Sequence, residues 1–423
     1  MSTGRRAGTG WRWLLAAAAT SLAVTLLAVE LVLRIFLVAP RLVASNYPLG
    51  AGIAGSELRL AQSEYDIRLR YNQFGFRGPE FPLEEQPDEL RILVLGDSFA
   101  EGVGVAEESR FADLLDRDLA ARTGRAVTVI DAGQMATGPA SYVRNLTEFG
   151  VALRPDLVIM TIYIGNDFSV PDSAAGAELH VNDTLPSRAL ADPSTWTSVL
   201  TLTYVRRGIE QLVSGEQLLF RRPPRESPWE VGYGKPVSRQ YYVDAVGLLG
   251  VEPEAVDAAT ATMDPALVGE FFAGRINPSF FIGAIAEKAS ELKAAPARKP
   301  PRDVAAVIVP VAKMVERVNR LLASRGVAFL VLVVPDVHEM EPAAHDAFLA
   351  RLAIRPSPEM ERTGEVRQAF VRELEARSIP TLDLAPALRS AGARTFHIMD
   401  GHFNEAGHRV AAQALVERLA GGF

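Results

Sequence analysis

The chain has 423 residues, 48% of them hydrophobic, which is enough for one large packed core with additions. Its net charge of −7, from 44 Lys and Arg against 51 Asp and Glu, argues against a nucleic-acid partner, which needs a concentrated basic surface. The absence of cysteine excludes disulfides, thiol catalysis and thiolate metal sites.

Residues 14–29 form an uninterrupted apolar run preceded by Arg5, Arg6 and Arg12. Trp11 and Trp13 stand at one end, and the apolar pattern continues through Leu31–Val38 past Glu30 and Arg34, which can pair at i, i+4. The segment 13–38 is therefore expected to be a transmembrane helix. Basic residues ahead of it predict a single-pass cell-membrane protein with residues 1–12 in the cytoplasm and everything after the helix outside. A cleaved signal peptide has the same basic and apolar regions, but Glu30 and Arg34 interrupt the place where a small-residue cleavage site would fall.

Residues 39–90 carry Pro40, Pro48, Pro79, Pro82 and Pro87 without a long period, and read as a linker and lead-in. Within them, Tyr71–Gly78 is aromatic and turn-rich, consistent with a hairpin packed on a domain edge. From residue 91 to 423 strand and helix signals alternate, which predicts a parallel sheet covered on both faces. The expected strands are Ile92–Leu95, Val127–Ile130, Leu157–Ile164, Val327–Val334 and Pro380–Leu384, with Leu157–Ile164 central. Helices are expected over Glu107–Arg122, Ala140–Leu153, Asp303–Ala323, Thr363–Arg377 and Glu405–Leu419. Right-handed crossovers then favour a flavodoxin-like three-layer α/β/α sandwich of about five parallel strands. The rhythm stops over residues 173–302, an insertion with helical patterns at Asp257–Phe272 and Pro278–Leu292. Such an insertion is expected to cover the site and set substrate choice, or to be a surface excursion.

Three clusters of polar residues fall where this topology places strand ends. The first strand runs into Gly96-Asp97-Ser98-Phe99, so Ser98 would sit in the crevice at the carboxyl edge of the sheet with its N–H at a helix N-terminus. Alone, Gly-Asp-Ser is an ordinary capped turn. The third strand runs into Gly165-Asn166-Asp167, where an amide can donate to an oxyanion and Asp167 can fix the loop through backbone N–H groups. Near the C-terminus, Asp400-Gly401-His402-Phe403-Asn404 puts a carboxylate two residues from one of only six histidines, a spacing suited to orienting an imidazole through Nδ1–H. His408 lies inside the following helix and reads as a surface or packing residue, and His338 stands at another strand end. No metal-site spacing, dinucleotide fingerprint or phosphate loop is present, so no metal or cofactor is expected.

In this order the blocks resemble those of the SGNH, or GDSL-type, hydrolase superfamily over Arg91–Leu419, apart from the insertion. The resemblance implies Ser98 as nucleophile, Asp400 and His402 as its partners, and an oxyanion hole built from the Ser98 N–H, Asn166 and a loop N–H after the second strand. That loop has Ala136 at the position that aligns best with the family's glycine, with Gly133 and Gly138 on either side, so Ala136 and Gly138 are the candidates. Alanine does not adopt a positive φ cheaply, and the loop is therefore a departure from the family. Asp-x-His followed by an aromatic and Asn, where most of the family has Asp-x-x-His, is similar to polysaccharide O-acetyltransferases of the alginate type. The expected function is a membrane-anchored, extracytoplasmic serine esterase acting on a small-molecule or carbohydrate ester. The alternatives are an O-acyltransferase moving an acetyl group to a cell-surface or exported polysaccharide, and an inactive carbohydrate-binding or assembly protein. Oligomeric state and the identity of the acyl group have no signature in the sequence.

Overall fold

The structure, a computed structural model, describes residues 55–168, 234–292 and 303–421, with scattered positions at 16–18, 20–21, 24–25, 179 and 181. The chain divides into two compact units, Met1–Pro48 with Pro186–Arg225, and Leu49–Leu185 with Glu226–Phe423. In the first unit only helical, exposed residues between 16 and 25 are described. Among the described residues no helix is long and apolar enough to cross a membrane; most of the span expected at 13–38 lies outside them.

The second unit is an α/β structure built on five parallel strands: β3 (Leu90–Gly96), β4 (Val127–Gly133), β5 (Leu157–Tyr163), β6 (Ala328–Val334) and β7 (Thr381–Asp383), in the order β4-β3-β5-β6-β7. Counted within the sheet this is the 2-1-3-4-5 order of flavodoxin-like folds, with β5 in the middle. Near-continuous apolar sequence makes β3 and β5 suited to burial on both faces, and every residue of β3 is buried. Ile92 and Val94 join one core with Phe111, Leu115, Leu119, Ala411 and Leu415 from the helices Phe111–Thr123 and Glu405–Leu419. Leu93 and Leu95 join the other with Tyr142, Val311, Val315, Val318 and Phe370 from the helices Pro139–Asn145, Val304–Ala323 and Thr363–Ala376. Alternation along one strand thus builds the three layers. The pairing Gly96 with Gly133 in parallel register brings the ends of β3 and β4 level.

Two regions differ from the sequence-based expectation. The lead-in, expected to be extended, holds in its described part an antiparallel hairpin of β1 (Glu57–Ala61) and β2 (Asp66–Arg70) that the sequence reading does not include. Leu60, Ile67 and Leu69 pack into a small core with Tyr65 and Val103, which explains why the hairpin docks. The turn Tyr71–Gly78 follows it, closed by a Tyr71–Arg77 bridge, with Phe74 and Phe76 buried against Phe81 and Phe149. In the insertion, the expected helix Asp257–Phe272 is two, Pro253–Thr260 and Pro265–Phe272, because Asp264 caps a new start at Pro265. With Arg239–Gly247 and Pro278–Leu292 they pack Tyr242, Val256, Leu267, Phe271 and Phe281 into the first core, so residues 234–292 are an integral part of one layer.

Candidate active site

Chain geometry alone puts Ser98 at the carboxyl edge. β3 ends at Gly96, the Asp97 carboxylate accepts the Phe99 N–H at 2.9 Å, and the short helix Ser98–Glu101 begins at once. Gly102 at φ 78° stops it. β4 must pass close beside this helix: a Cβ at Gly133 would lie 2.3 Å from the Glu101 nitrogen, so only glycine fits.

The histidine arrives from the far end of the chain. Phe396 and Phe403 form a bridge, His397 N–H donates to the His402 carbonyl at 2.8 Å, and Gly401, at φ 84°, donates its N–H to the His397 carbonyl at 2.9 Å. The left-handed residue between them turns Asp400 and His402 to the same side. Asn404 then caps the last helix by accepting the Ala406 and Gly407 N–H groups.

The result is a continuous chain of short contacts: Ser98 Oγ to His402 Nε2 at 2.7 Å, and His402 Nδ1 to Asp400 Oδ2 at 2.6 Å. Phe99 lies against the imidazole at 5.1 Å and against Tyr163 at 4.2 Å, which fixes the ring plane. Burial pushes the His402 pKa down, but Asp400, with smaller contributions from Asp97 and Glu101, outweighs burial and raises it above the ordinary value of 6.5. Burial likewise pushes the Asp400 carboxyl up, and the opposing pull of His402, His397 and Tyr65 holds it below its usual range. A hydroxyl, an imidazole and a carboxylate so arranged can activate the hydroxyl as a nucleophile.

The expected oxyanion residues lie around the same edge. Asn166 is exposed, and its Nδ2 donates to Asp97 Oδ2 at 3.4 Å, linking the first and third blocks. Asp167 accepts the Tyr163 N–H and the Tyr142 hydroxyl, both at 2.9 Å, and so ties the Asn166 loop down. Burial, then the neighbouring Asp97, pushes its carboxyl well above the usual range. In the second-block loop Ala136 sits at φ 59°, in the left-handed region, whereas Gly138 is extended at φ −151° and caps the helix Pro139–Asn145. The alanine therefore occupies the conformation that would favour glycine. Ala136→Gly is expected to raise stability by about 0.5–1 kcal/mol in thermal unfolding, with activity kept because the backbone N–H is unchanged.

Sequence reasoning missed what holds this loop. Glu101, buried, accepts the Met135 N–H at 2.6 Å and the Tyr71 hydroxyl at 2.7 Å, while Arg77 donates to the Glu101, Gly102 and Val105 carbonyls. Burial, with Arg110 nearby, lowers the Arg77 pKa to about 10. His338 instead bonds Asp346 at 2.9 Å. His408 is fully buried, and its Nδ1 accepts the Phe111 N–H at 3.1 Å, so its role is packing and capping. Among the described residues no group of three or more His, Asp or Glu could hold a metal ion.

A Ser-His-Asp chain at the carboxyl edge of a 2-1-3-4-5 parallel sheet defines an α/β serine-hydrolase type of site. Residues 296–422 match the family model of the SGNH hydrolase-like domain of the acetyltransferase AlgX, a stretch that includes Asp400 and His402. Over that stretch the chain is similar to an SGNH hydrolase-like domain, and this similarity, with the Ser-His-Asp contacts, supports an ester-acting hydrolase or acetyltransferase. Similar solved structures include a lipase/acylhydrolase from Enterococcus faecalis, 12% identical over 78% of this chain and 95% of that one, with TM-score 0.34. The acetyl xylan esterase AlAXEase is 10% identical over 78% and 99%, TM-score 0.35. A catalytic mutant of Axe2, an acetylxylan esterase from Geobacillus stearothermophilus, is 10% identical over 79% and 94%, TM-score 0.33. Likeness of that degree says nothing about substrate. No curated protein sequence matches the chain.

Proposed function

We propose that the protein is a membrane-anchored, extracytoplasmic serine esterase that removes an O-acyl group, of the kind carried by carbohydrates, through an acyl-enzyme. The observation that carries this reading is the unbroken contact from Ser98 through His402 to Asp400. Ser98 Oγ attacks the ester carbonyl while His402 Nε2 takes its proton. The oxyanion that forms is held by the Ser98 N–H, Asn166 Nδ2 and the N–H of the Ala136 loop. His402 returns the proton to the leaving alcohol, and Asp400 orients the imidazole and stabilises its charged form. Water, activated by the same imidazole, then releases the acid and restores Ser98. The location rests on the sequence, in which Arg5, Arg6 and Arg12 precede the apolar run 14–29.

The family match to an acetyltransferase domain favours a second reading of the last step, in which a sugar hydroxyl replaces water as acceptor. Both share the acyl-enzyme, so the acceptor decides. With an aryl acetate as donor, the esterase releases acetate at a rate that an added oligosaccharide does not divert. Appearance of acetylated oligosaccharide at the expense of acetate, measured by mass spectrometry, would establish the transferase.

A further inference from the structure

The turn of the lead-in hairpin carries a contact that neither the triad nor the oxyanion loop accounts for. Glu64, half-buried, places its carboxylate on three successive backbone N–H groups of the loop that holds the triad: Ile398 at 2.7 Å, Met399 at 2.8 Å and Asp400 at 3.1 Å. This is an anion nested in a run of N–H donors, contributed from more than three hundred residues away in sequence.

We infer that Glu64 is a positioning residue for the reaction, holding the Asp400–His402 loop in register with Ser98 from a hairpin outside the five-stranded sheet. Each neighbour of the turn serves the same end. Tyr65 packs its ring on His397 at 5.1 Å, and His397 Nε2 meets the Gly104 carbonyl at 3.0 Å. Ser63 anchors the other side, its N–H and hydroxyl donating to the Arg275 carbonyl at 2.6 and 2.9 Å and its hydroxyl also to Glu270 at 2.8 Å. The insertion therefore braces the hairpin, and the hairpin braces the loop. Phe280 and Val337 come within 3.9 Å of where a Gly401 Cβ would be, so the insertion also flanks the loop directly.

The other backbone bonds of the loop, His397 N–H to the His402 carbonyl and Gly401 N–H to the His397 carbonyl, leave the Ile398, Met399 and Asp400 N–H groups to Glu64. Gly401 sits in the left-handed region, and one carboxylate oxygen of Asp400 bonds His402 Nδ1. Without Glu64 three N–H groups lose their acceptor, and the Asp400–His402 pair is free to drift from Ser98. A displacement of about 1 Å at a reacting group costs on the order of 10²-fold in rate. Substrate binding does not pass through this contact, so the loss falls on kcat rather than KM.

The inference rests on the esterase reading, and the test separates the two. Glu64→Gln, Glu64→Ala and Ser98→Ala are compared in the full-length protein on an aryl acetate, with competent sites counted by fluorophosphonate end-point labelling. Glu64→Ala is expected to lower kcat per competent site by roughly 10–100-fold with KM little changed, and Glu64→Gln, which keeps one acceptor oxygen, by less. The acid limb of kcat/KM should move to lower pH in both, because Asp400, which faces His402, His397 and Tyr65, loosens its hold on an imidazole that otherwise faces Asp97 and Glu101. A Glu64 role is overturned if kcat per competent site and the acid limb stay at wild-type values in the glutamine and alanine variants while Ser98→Ala is inactive. An active Ser98→Ala overturns the esterase reading itself. If the alanine variant does not fold, the glutamine variant alone decides on the same two readouts.

Discussion

Ser98→Ala is expected to lower kcat on an aryl acetate by roughly 10⁶-fold, the size of loss seen when the nucleophile of such a unit is removed. The structure supports an effect of that order because Ser98 Oγ is the only atom of the arrangement placed to attack: it lies 2.7 Å from His402 Nε2 at the first turn of a helix, and Asp400 stands one contact further on. What remains after the substitution is the oxyanion loop and the binding surface, which can still favour attack by water to a small extent. Stability should change little, since the substitution removes one hydroxyl beside the crevice and leaves the Asp97 cap on Phe99 intact. Steady-state kinetics together with thermal unfolding check both halves, and a Ser98→Ala protein within a hundredfold of wild type would rule the mechanism out.

The second large effect belongs to Asp400→Asn, for which a fall in kcat of about 10⁴-fold is expected. Asparagine keeps the volume but can present its amide N–H₂ to Nδ1, which leaves Nε2 protonated and unable to accept from Ser98. The pH dependence follows from the direction of the shifts. In the wild type the imidazole pKa is raised above 6.5, and catalysis needs the neutral imidazole, so kcat/KM falls as pH drops through a value above 6.5. Removing the Asp400 charge takes away the largest raising influence while burial still lowers the pKa, so the acid limb moves to lower pH. Its position is read from the pH profile of kcat/KM. A variant with an unchanged limb and near-normal kcat would show that Asp400 does not act on His402.

The parts of this architecture legible in the sequence are those where one physical preference dominates. β3 and β5 are legible because parallel strands buried on both faces need near-continuous apolar runs, and Ile92–Leu95 and Leu157–Tyr163, broken only by Thr161, have them. The nearness of Ser98, Asn166 and His402 was readable only through topology, which sends successive loops to one edge. The hairpin Glu57–Arg70 was not read, although Leu58, Leu60, Ile67 and Leu69 alternate on either side of the turn at Ser63-Glu64. Five-residue strands flanked by prolines and charges give a period too short to stand out. Glu64 itself has no local signature, since its meaning comes from backbone N–H groups in another part of the chain. Ala136 shows the converse: the sequence marked the loop as a departure, and in the structure the alanine stands at φ 59° beside the Met135 N–H that Glu101 accepts. In the insertion, apolar residues such as Tyr242 and Phe271 read as helical faces, but which surface they cover is decided by tertiary packing.

The central claim is that Ser98 is a nucleophile activated by His402. Incubation of the protein with a fluorophosphonate at neutral pH, followed by intact mass and peptide mapping, tests it most directly. One adduct per chain on Ser98, absent in Ser98→Ala and strongly slowed in His402→Ala, is the predicted result. No adduct on a folded protein, or an adduct on another residue, would contradict it.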